Sequence, residues 1–599
     1  MKHPHCALYR DVSLAGCAIG VALWVGVAWQ GVAQAATVTA SVTADVESII
    51  RTLVPGDELV LEDGLYDITD PELPPYGRFA ISIAGTPELP IVIRAAEGAH
   101  PHFSRGNADE NIWDVTGANL IIRGLTFSGG SVGVRIESAR NLTIEECEIY
   151  GTEGAGLSAP LPTAIYDGVR ILRNRVHDTG GAGMRFGCQS DLCRLANAEI
   201  VQNHVHHTGG SGEGILIREG GYANRIVDNV VHDTAGPCVV TLGTLGHGDD
   251  QFISANLLFR CAENGIQAAG QALITNNVIL SAGVEGISMR PYASPAPVVS
   301  VTPTNISVLH NTVLMPSGNA VALDGATGPI VLANNALYAQ AGLAVFVADS
   351  TAFLTPRGNV GIGQASADGF VEGDFAADFV DANFSGAPPM DVFPRVLGAL
   401  VGTGDSADVV EFDFNGTARG GVADVGAYVF DSSGNSGWVL APVMKGEVYV
   451  PEADAGVSDG AIQTDGSVAD GSVEMDGSMA DGSVEMDGSM ADGSVEMDGS
   501  MTDGAVEMDG STTDASVEID GSTDGSGADL DAFVADVAHV DGGVPDSAVP
   551  STGDDPGGCS CRDADAGPSG ALPLVLAAIV LPWGARRRRR NTSARSPKP

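Results

Sequence analysis

NRVHDTGGAGM, residues 174–184, is followed by NHVHHTGGSGEGI at 203–215 and NVVHDTAGPCV at 229–239. A histidine beside an acid invites a catalytic reading of His177 and Asp178. Three near-regular copies oppose it, because a stacked scaffold must repeat its turns whereas an active site need be made only once. His177, His206 and His232 take equivalent places, as do Asp178, His207 and Asp233, and then Thr179, Thr208 and Thr234. They are read as rows running along one side of a repeating fold.

Extending the alignment outward gives nine phrases centred on Leu125, Cys147, Asn174, Asn203, Asn229, Asn256, Asn277, Asn311 and Asn335. The intervals run from 21 to 34 residues, and seven of the nine centres are asparagine. Apolar residues alternate on both sides of each centre, which is the period of short strands and not of helices. An asparagine at a turn can bond to its copies above and below, so the seven are expected to form a ladder. A second strand follows each Gly-rich turn, as in SVGVRIE (131–137), GAGMRFG (181–187), GEGILIRE (212–219) and VEGISMRP (284–291).

This pattern resembles the right-handed parallel β-helix of the pectate-lyase-like superfamily over roughly residues 45–350. LVPGDELVLEDGLYDI (53–68) and PIVIRAAEGAHPHF (90–103) resemble the opening coils of such proteins. FDFNGTARGGVADVGAYVF (412–430) resembles a closing segment, matched at Asp413, Gly416, Arg419, Asp424 and Gly426. The resemblance implies an all-β solenoid with N- and C-terminal caps, and a polysaccharide-binding face on the second strand of each coil.

Strand alternation sends Arg135, Ser158, Arg185, Leu216, Val240, Gln267 and Ser288 outward on that face. A second outward column holds Glu137, Pro160, Gly187, Arg218, Leu242, Ala269 and Arg290. Arginines so placed can grip uronate carboxylates or sulfates through paired hydrogen bonds. Arg185, Arg218 and Glu213 are the candidate catalytic residues, with Arg135, Glu137, Arg290, Tyr292 and Gln267 as candidate substrate contacts. The plainer alternative is a solvated charged face. Uronate lyases of the superfamily use Lys or Arg as base, often beside acidic calcium ligands. Lys445 is the only lysine between the leader and the acidic region, which argues against a lysine-based lyase. Calcium stays a candidate cofactor, and no metal-ligand set is legible.

GHGDD (246–250) echoes fragments of polygalacturonases. An inverting hydrolase needs carboxylates about 6.5–9.5 Å apart across the substrate, and Asp249 and Asp250 are adjacent in one loop. Three insertions, GCQSDLCRLAN (187–197), GTLGHGDDQ (243–251) and RPYASPAPVVSVTPTN (290–305), follow the Arg-bearing strand and are expected to wall a groove.

The termini carry address signals. Lys2 and Arg10, an apolar run over Leu14–Trp29 and Ala33-Gln34-Ala35 read as a secretory signal peptide cleaved after Ala35. Export to an oxidising compartment makes Cys188 and Cys193 a candidate disulfide, while the pairing of Cys147, Cys238 and Cys261 is left open. The net charge is −46, and residues 452–555 hold 27 Asp or Glu with no Lys or Arg. Within them GSVEMDGSMAD recurs from Gly471 with an 11-residue period. So little apolar surface reads as an extended, disordered acidic spacer. GGCSCRD (557–563), the apolar run Ala571–Trp583 and RRRRR (586–590) together resemble a myxobacterial-type C-terminal sorting tail, MYXO-CTERM. That resemblance implies surface sorting with processing at Cys559 or Cys561, and a single-pass tail anchor is the alternative.

The expected organisation is a signal peptide (1–35), a β-helix (36–350), a capping region (351–450), the spacer (451–556) and the tail (557–599). The expected function is binding or modification of an extracellular polysaccharide, by a lyase or glycoside hydrolase if the protein is an enzyme. A noncatalytic surface adhesin, with the solenoid as a display rod, is the alternative. The tail implies membrane association, the acidic chain argues against nucleic acid, and a monomer is expected.

Overall fold

The computed structural model describes residues 35–69, 78–210, 212–294, 298–365 and 369–448, together with short strands between 462 and 520. The expected signal peptide and sorting tail, with Cys559 and Cys561, lie outside the described residues. Among the described residues no helix is long and apolar enough to cross a membrane.

Parallel strands join into one 36-stranded sheet wound as a β-helix. Each central coil contributes three short strands. Arg170–Leu172, Arg175–Thr179 and Met184–Phe186 pair with Glu199–Val201, His204–Thr208 and Ile215–Ile217 of the next coil. Those pair in turn with Arg225–Val227, Val230–Thr234 and Val239–Thr241. We call the three resulting stacks the rear, side and front sheets. Alternation puts one apolar column from each into the interior: Ile171, Ile200 and Ile226 from the rear, Val176, Val205 and Val231 from the side, and Met184, Ile215 and Val239 from the front, all buried. Burying each such side chain contributes about 1.5–3 kcal/mol.

The turn between rear and side sheets is the asparagine ladder. The backbone N–H of Asn174 donates to Asn203 Oδ1 at 2.9 Å, Asn203 to Asn229 at 2.9 Å and Asn229 to Asn256 at 2.9 Å. The series runs on through Asn277, Asn311 and Asn335 to Asn359. Each side-chain amide also caps a carbonyl of the preceding coil, as Asn229 does for Ile200. The residue before each rung has a positive φ, for example 54° at Arg173, 54° at Gln202 and 58° at Asp228. That left-handed step turns the chain, and the asparagine supplies the partners the bent backbone would otherwise lack. Asn359 is a rung the sequence reading missed, and Cys147 stands at the foot of the ladder, its N–H on Asn174 Oδ1.

The second turn, between side and front sheets, is held by Thr179, Thr208 and Thr234, whose hydroxyls donate to the carbonyls of Gly181, Gly212 and Gly236. Glycine is required just before the front strand: a Cβ on Gly183 would lie 2.4 Å from a Val205 methyl. Gly156 and Gly214 face the same contact with Val176 and Val231.

The capping region departs from expectation in two ways. The solenoid continues past residue 350, with Leu354–Arg357 pairing Ile330–Ala333 and Asn359–Ala365 pairing the long strand Ala336–Val347. The segment over 412–430 does not close the end of the stack. It lies along the side sheet, where Phe414, Val425, Ala427 and Tyr428 pack on Val230, Leu257, Phe259, Val278, Leu280 and Leu314. The cause is a change along the side sheet's outward column, from Glu148, Arg175 and His204 to Val230, Leu257 and Val278. An apolar flank on the later coils needs a cover.

The matched residues of that segment fasten it. Asp413 accepts backbone N–H groups from Asn415, Thr417 and Val429, and Asp424 from Gly402 and Phe430. Arg419 donates to Asn276 Oδ1 and Gly426 O, both at 2.9 Å. Lys445 is buried against the same flank, donating to Asp228 at 2.6 Å and Phe414 O at 2.5 Å. Burial lowers its pKa against the pull of Asp228.

Cys188 and Cys193 form the expected disulfide, Cys238 pairs with Cys261, and Cys147 is free and buried. The acidic repeat belongs to a second compact unit, Asp454–Pro599. Its described residues are short strands. Ser472–Asp476 pairs in parallel with Ser494–Asp498, and that strand with Ser516–Asp520, an offset of two 11-residue repeats. Identical sequence at a fixed offset permits a parallel ladder without a varied core.

Candidate binding face

The front sheet carries the outward columns expected from alternation. Its register places Arg135 beside Ser158, Ser158 beside Arg185, Arg185 beside Leu216, Leu216 beside Val240, Val240 beside Gln267 and Gln267 beside Ser288. The columns are not uniform, and the coils divide the face into three stretches.

The first stretch is charged and internally paired. Arg78, unread in the sequence because it lies ahead of the repeats, donates through Nε to Asp114 Oδ2 at 2.7 Å and through Nη2 to Glu137 Oε1 at 3.0 Å. Glu110 lies 4.0 Å away. The Asp114 hydrogen bond raises the Arg78 pKa against burial. Glu137, a candidate substrate contact, is therefore already occupied.

The second stretch is open. Arg185 is exposed and makes no hydrogen bond or ion pair among the described residues. Arg135 is half-buried with its Nε unpartnered. Ser158 stands between them, so the two guanidiniums are two coils apart, about 10 Å at the strand spacing of a sheet.

The third stretch is covered, which corrects the expectation for Arg218 and Glu213. Leu216, Val240, Leu242 and Ala269 form an apolar floor, and the 290–305 insertion folds over it as a small hairpin, Tyr292–Ala293 on Ser300–Val301. Tyr292, Val299 and Val301 seal the floor. Arg218 is only 8% exposed, with Nη1 donating to the Tyr292 hydroxyl at 3.2 Å. Its nearest carboxylate is Glu219, fully buried, at 3.6 Å. Glu213 sits at the other end of the strand and makes no bond to Arg218. The expected Arg218–Glu213 pairing is not formed, because alternation and five intervening steps separate the two. Tyr292 is a hairpin anchor. Arg290 is exposed beyond the hairpin and donates to Gln267 Oε1 at 2.9 Å, bringing those two candidates together.

The three insertions do meet. Ser190, inside the Cys188–Cys193 loop, donates its N–H to Glu219 Oε1 at 2.5 Å and shares a 3.2 Å hydroxyl contact with Ser294. Asp191 Oδ2 lies 2.8 Å from His247 Nε2. They form one interlocked wall beside the open arginines. Asp191, Glu219 and His247 were not legible as a group, since they come from different loops. Burial, then Asp249, raises the Asp250 pKa. Among the described residues no group of three His, Cys, Asp or Glu side chains converges as a metal site. The open stretch thus offers cationic donors, with its neighbouring carboxylates either tied to Arg78 or buried.

A family model described as Right handed beta helix region matches residues 102–231. Among solved structures, the chain resembles the PL6 family alginate lyase AlyGC at 13% identity and a TM-score of 0.39, over 81% of this chain and 72% of that one. It resembles an alginate lyase from Paenibacillus sp. str. FPU-7 at 18% identity and a TM-score of 0.34, over 56% of this chain and 98% of that one. It resembles pectate lyase Pel9A at 14% identity and a TM-score of 0.39, over 67% and 98% respectively. No curated protein matches the chain.

Proposed function

We propose that the protein binds an anionic extracellular polysaccharide along the open stretch of the front sheet, without turning it over. The observation that carries this reading is the pair Arg135 and Arg185, without a hydrogen-bonded or ion-paired partner among the described residues and aligned in one outward column beside an interlocked wall of loops. Guanidiniums without an internal carboxylate are free to take an external one, and their planar fork suits carboxylate or sulfate. Binding is favoured over catalysis because Asp114 and Glu137 are held by Arg78 and Glu219 is buried, so none of these three carboxylates is free to act as an acid or base.

Export fits the same picture. The first strand, Thr37–Ala40, begins just after the expected cleavage point, and Ala36 N–H is tied to Asp57 Oδ1 at 2.9 Å. Two disulfides suit an oxidising compartment. In this reading the tail around Cys559 and Cys561 holds the protein at the cell surface.

The test is retention of the chain on a panel of acidic and neutral polysaccharides, with unsaturated products and new reducing ends followed in parallel. Retention on acidic polymers alone, without products and weakened about tenfold or more in Arg185→Ala, is the expected outcome. Product formation would overturn the noncatalytic reading. Neither retention nor products would leave a display rod.

A further inference from the structure

The side sheet holds a concentration of imidazole that the front face does not use. Tyr150, His177, His206, His232 and Phe259 occupy one outward column on successive coils, their rings stacked 4.4–5.2 Å apart. In two of these coils the next residue is an aspartate that accepts from the imidazole. His177 Nδ1 lies 2.6 Å from Asp178 Oδ2, and His232 Nδ1 lies 2.5 Å from Asp233 Oδ2. The coil between them breaks the pattern. Its second residue is His207, and the Nδ1 atoms of His206 and His207 face each other at 2.7 Å. One proton lies between two nitrogen lone pairs, at an edge where His207 is exposed and His206 half-buried.

We propose that His206 and His207 chelate a tetragonal divalent transition-metal ion, copper(II) before others, through these two Nδ1 atoms. Two metal–nitrogen bonds of about 2.0–2.1 Å meeting at a right angle span about 2.9 Å, close to the separation present, whereas a tetrahedral zinc ion asks for about 3.4 Å. Imidazole suits copper and nickel, and copper(II) stands highest in the affinity order of the divalent series. The proton shared between the two Nδ1 atoms moves through water to the Nε2 of its own ring, which frees both Nδ1 lone pairs for the ion without releasing a proton. Asp178 and Asp233 occupy the same place one coil to each side and favour an arriving cation, with Arg260 bonded to Asp233 beyond. Since among the described residues no third His, Cys, Asp or Glu side chain converges there, water completes the coordination. The other close imidazole contact, His204 Nε2 to His232 Nε2 at 2.8 Å, is buried and belongs to the Asp233 chain of hydrogen bonds.

The experiment is titration of the expected mature chain, from Ala36, with copper(II) chloride near pH 7.5, followed by electron paramagnetic resonance and calorimetry, because Met1-Lys2-His3 of the uncleaved leader would itself supply nitrogen ligands. The wild type should show one equivalent with hyperfine splitting from two nitrogens, distinct from the oxygen-only signature of copper on the acidic repeat. The variant is His207→Asp, which the fold accepts because Asp178 and Asp233 already hold that conformation, with φ of 51° at all three positions. It should keep the wild-type circular dichroism and melting temperature, lose the two-nitrogen signal and bind copper at least tenfold more weakly. An oxygen-only spectrum in the wild type, or an unchanged nitrogen signal in His207→Asp, would overturn the site. Zinc(II) binding as tight as copper(II) would overturn its tetragonal character.

Discussion

The rear turn and the front face are made by the same coils and are opposite in kind. At the turn, each asparagine from Asn174 to Asn335 is answered by the asparagine of the next coil, so its identity is set by its own copies. On the front face, Arg135 and Arg185 meet no hydrogen-bonded or ion-paired partner among the described residues, and the residues around them change from coil to coil. A repeating fold stabilises itself where it is uniform and is free to bind where it is not. The side sheet lies between these cases, uniform enough to stack rings and variable enough to require a cover.

If stability resides in the cover and the turn and not in the open face, substitutions should rank accordingly. Phe414→Ala, in the apolar seam of the cover, should cost about 3–5 kcal/mol in chemical denaturation. Asn229→Ala should cost about 2–3 kcal/mol, since it leaves the Asn203 N–H and the Ile200 carbonyl buried without partners. Arg185→Ala should shift stability by no more than about 0.5 kcal/mol while weakening polysaccharide retention. A large loss of stability in Arg185→Ala would erase the contrast between face and turn.

Acid should sharpen it at the side sheet. Burial is the leading cause that lowers the His204 pKa to about 2 and the His206 pKa to about 3, from 6.5. Both are neutral in the folded protein and protonate on unfolding below about 6.5. Their contribution is complete above that pH and is lost as the pH falls towards about 3. Melting temperatures measured from pH 7.5 to 4.5 should therefore fall, and His206→Phe, which extends the ring stack with Phe259's residue type, should flatten the slope.

The sequence made the scaffold legible because the scaffold repeats. The Asn rungs, the His and Thr rows and the outward columns all followed from spacing and alternation. Asn359 escaped because the residues after it, VGIG (360–363), alternate apolar residues with glycine and not with polar residues. That the insertions wall the face was legible, but what one of them covers was not. The 290–305 hairpin buries Arg218 over a floor whose apolar character could be read, although its cover could not. Arg78 neutralises Glu137 from outside the repeats, and Cys238 finds Cys261 only once successive coils are stacked. The cover over 412–430 was matched residue by residue yet given the wrong place, because its motif encodes its own turns and not the surface they rest on.

The direction of that cover has a mechanical consequence. From Phe379 near Tyr338, through Arg419 at Asn276 and Lys445 at Asp228, it travels back down the solenoid to Glu447, which pairs with Arg175. Arg175 lies seven ladder steps before Asn359, roughly 34 Å at about 4.8 Å per coil. A pull on the chain beyond Val448 is thus delivered to the waist of the solenoid and not to its last coil. The load meets the Arg175–Glu447 pair first, then Lys445 at Asp228, then the aromatic seam, so it enters the middle coils contact by contact before it reaches the last one.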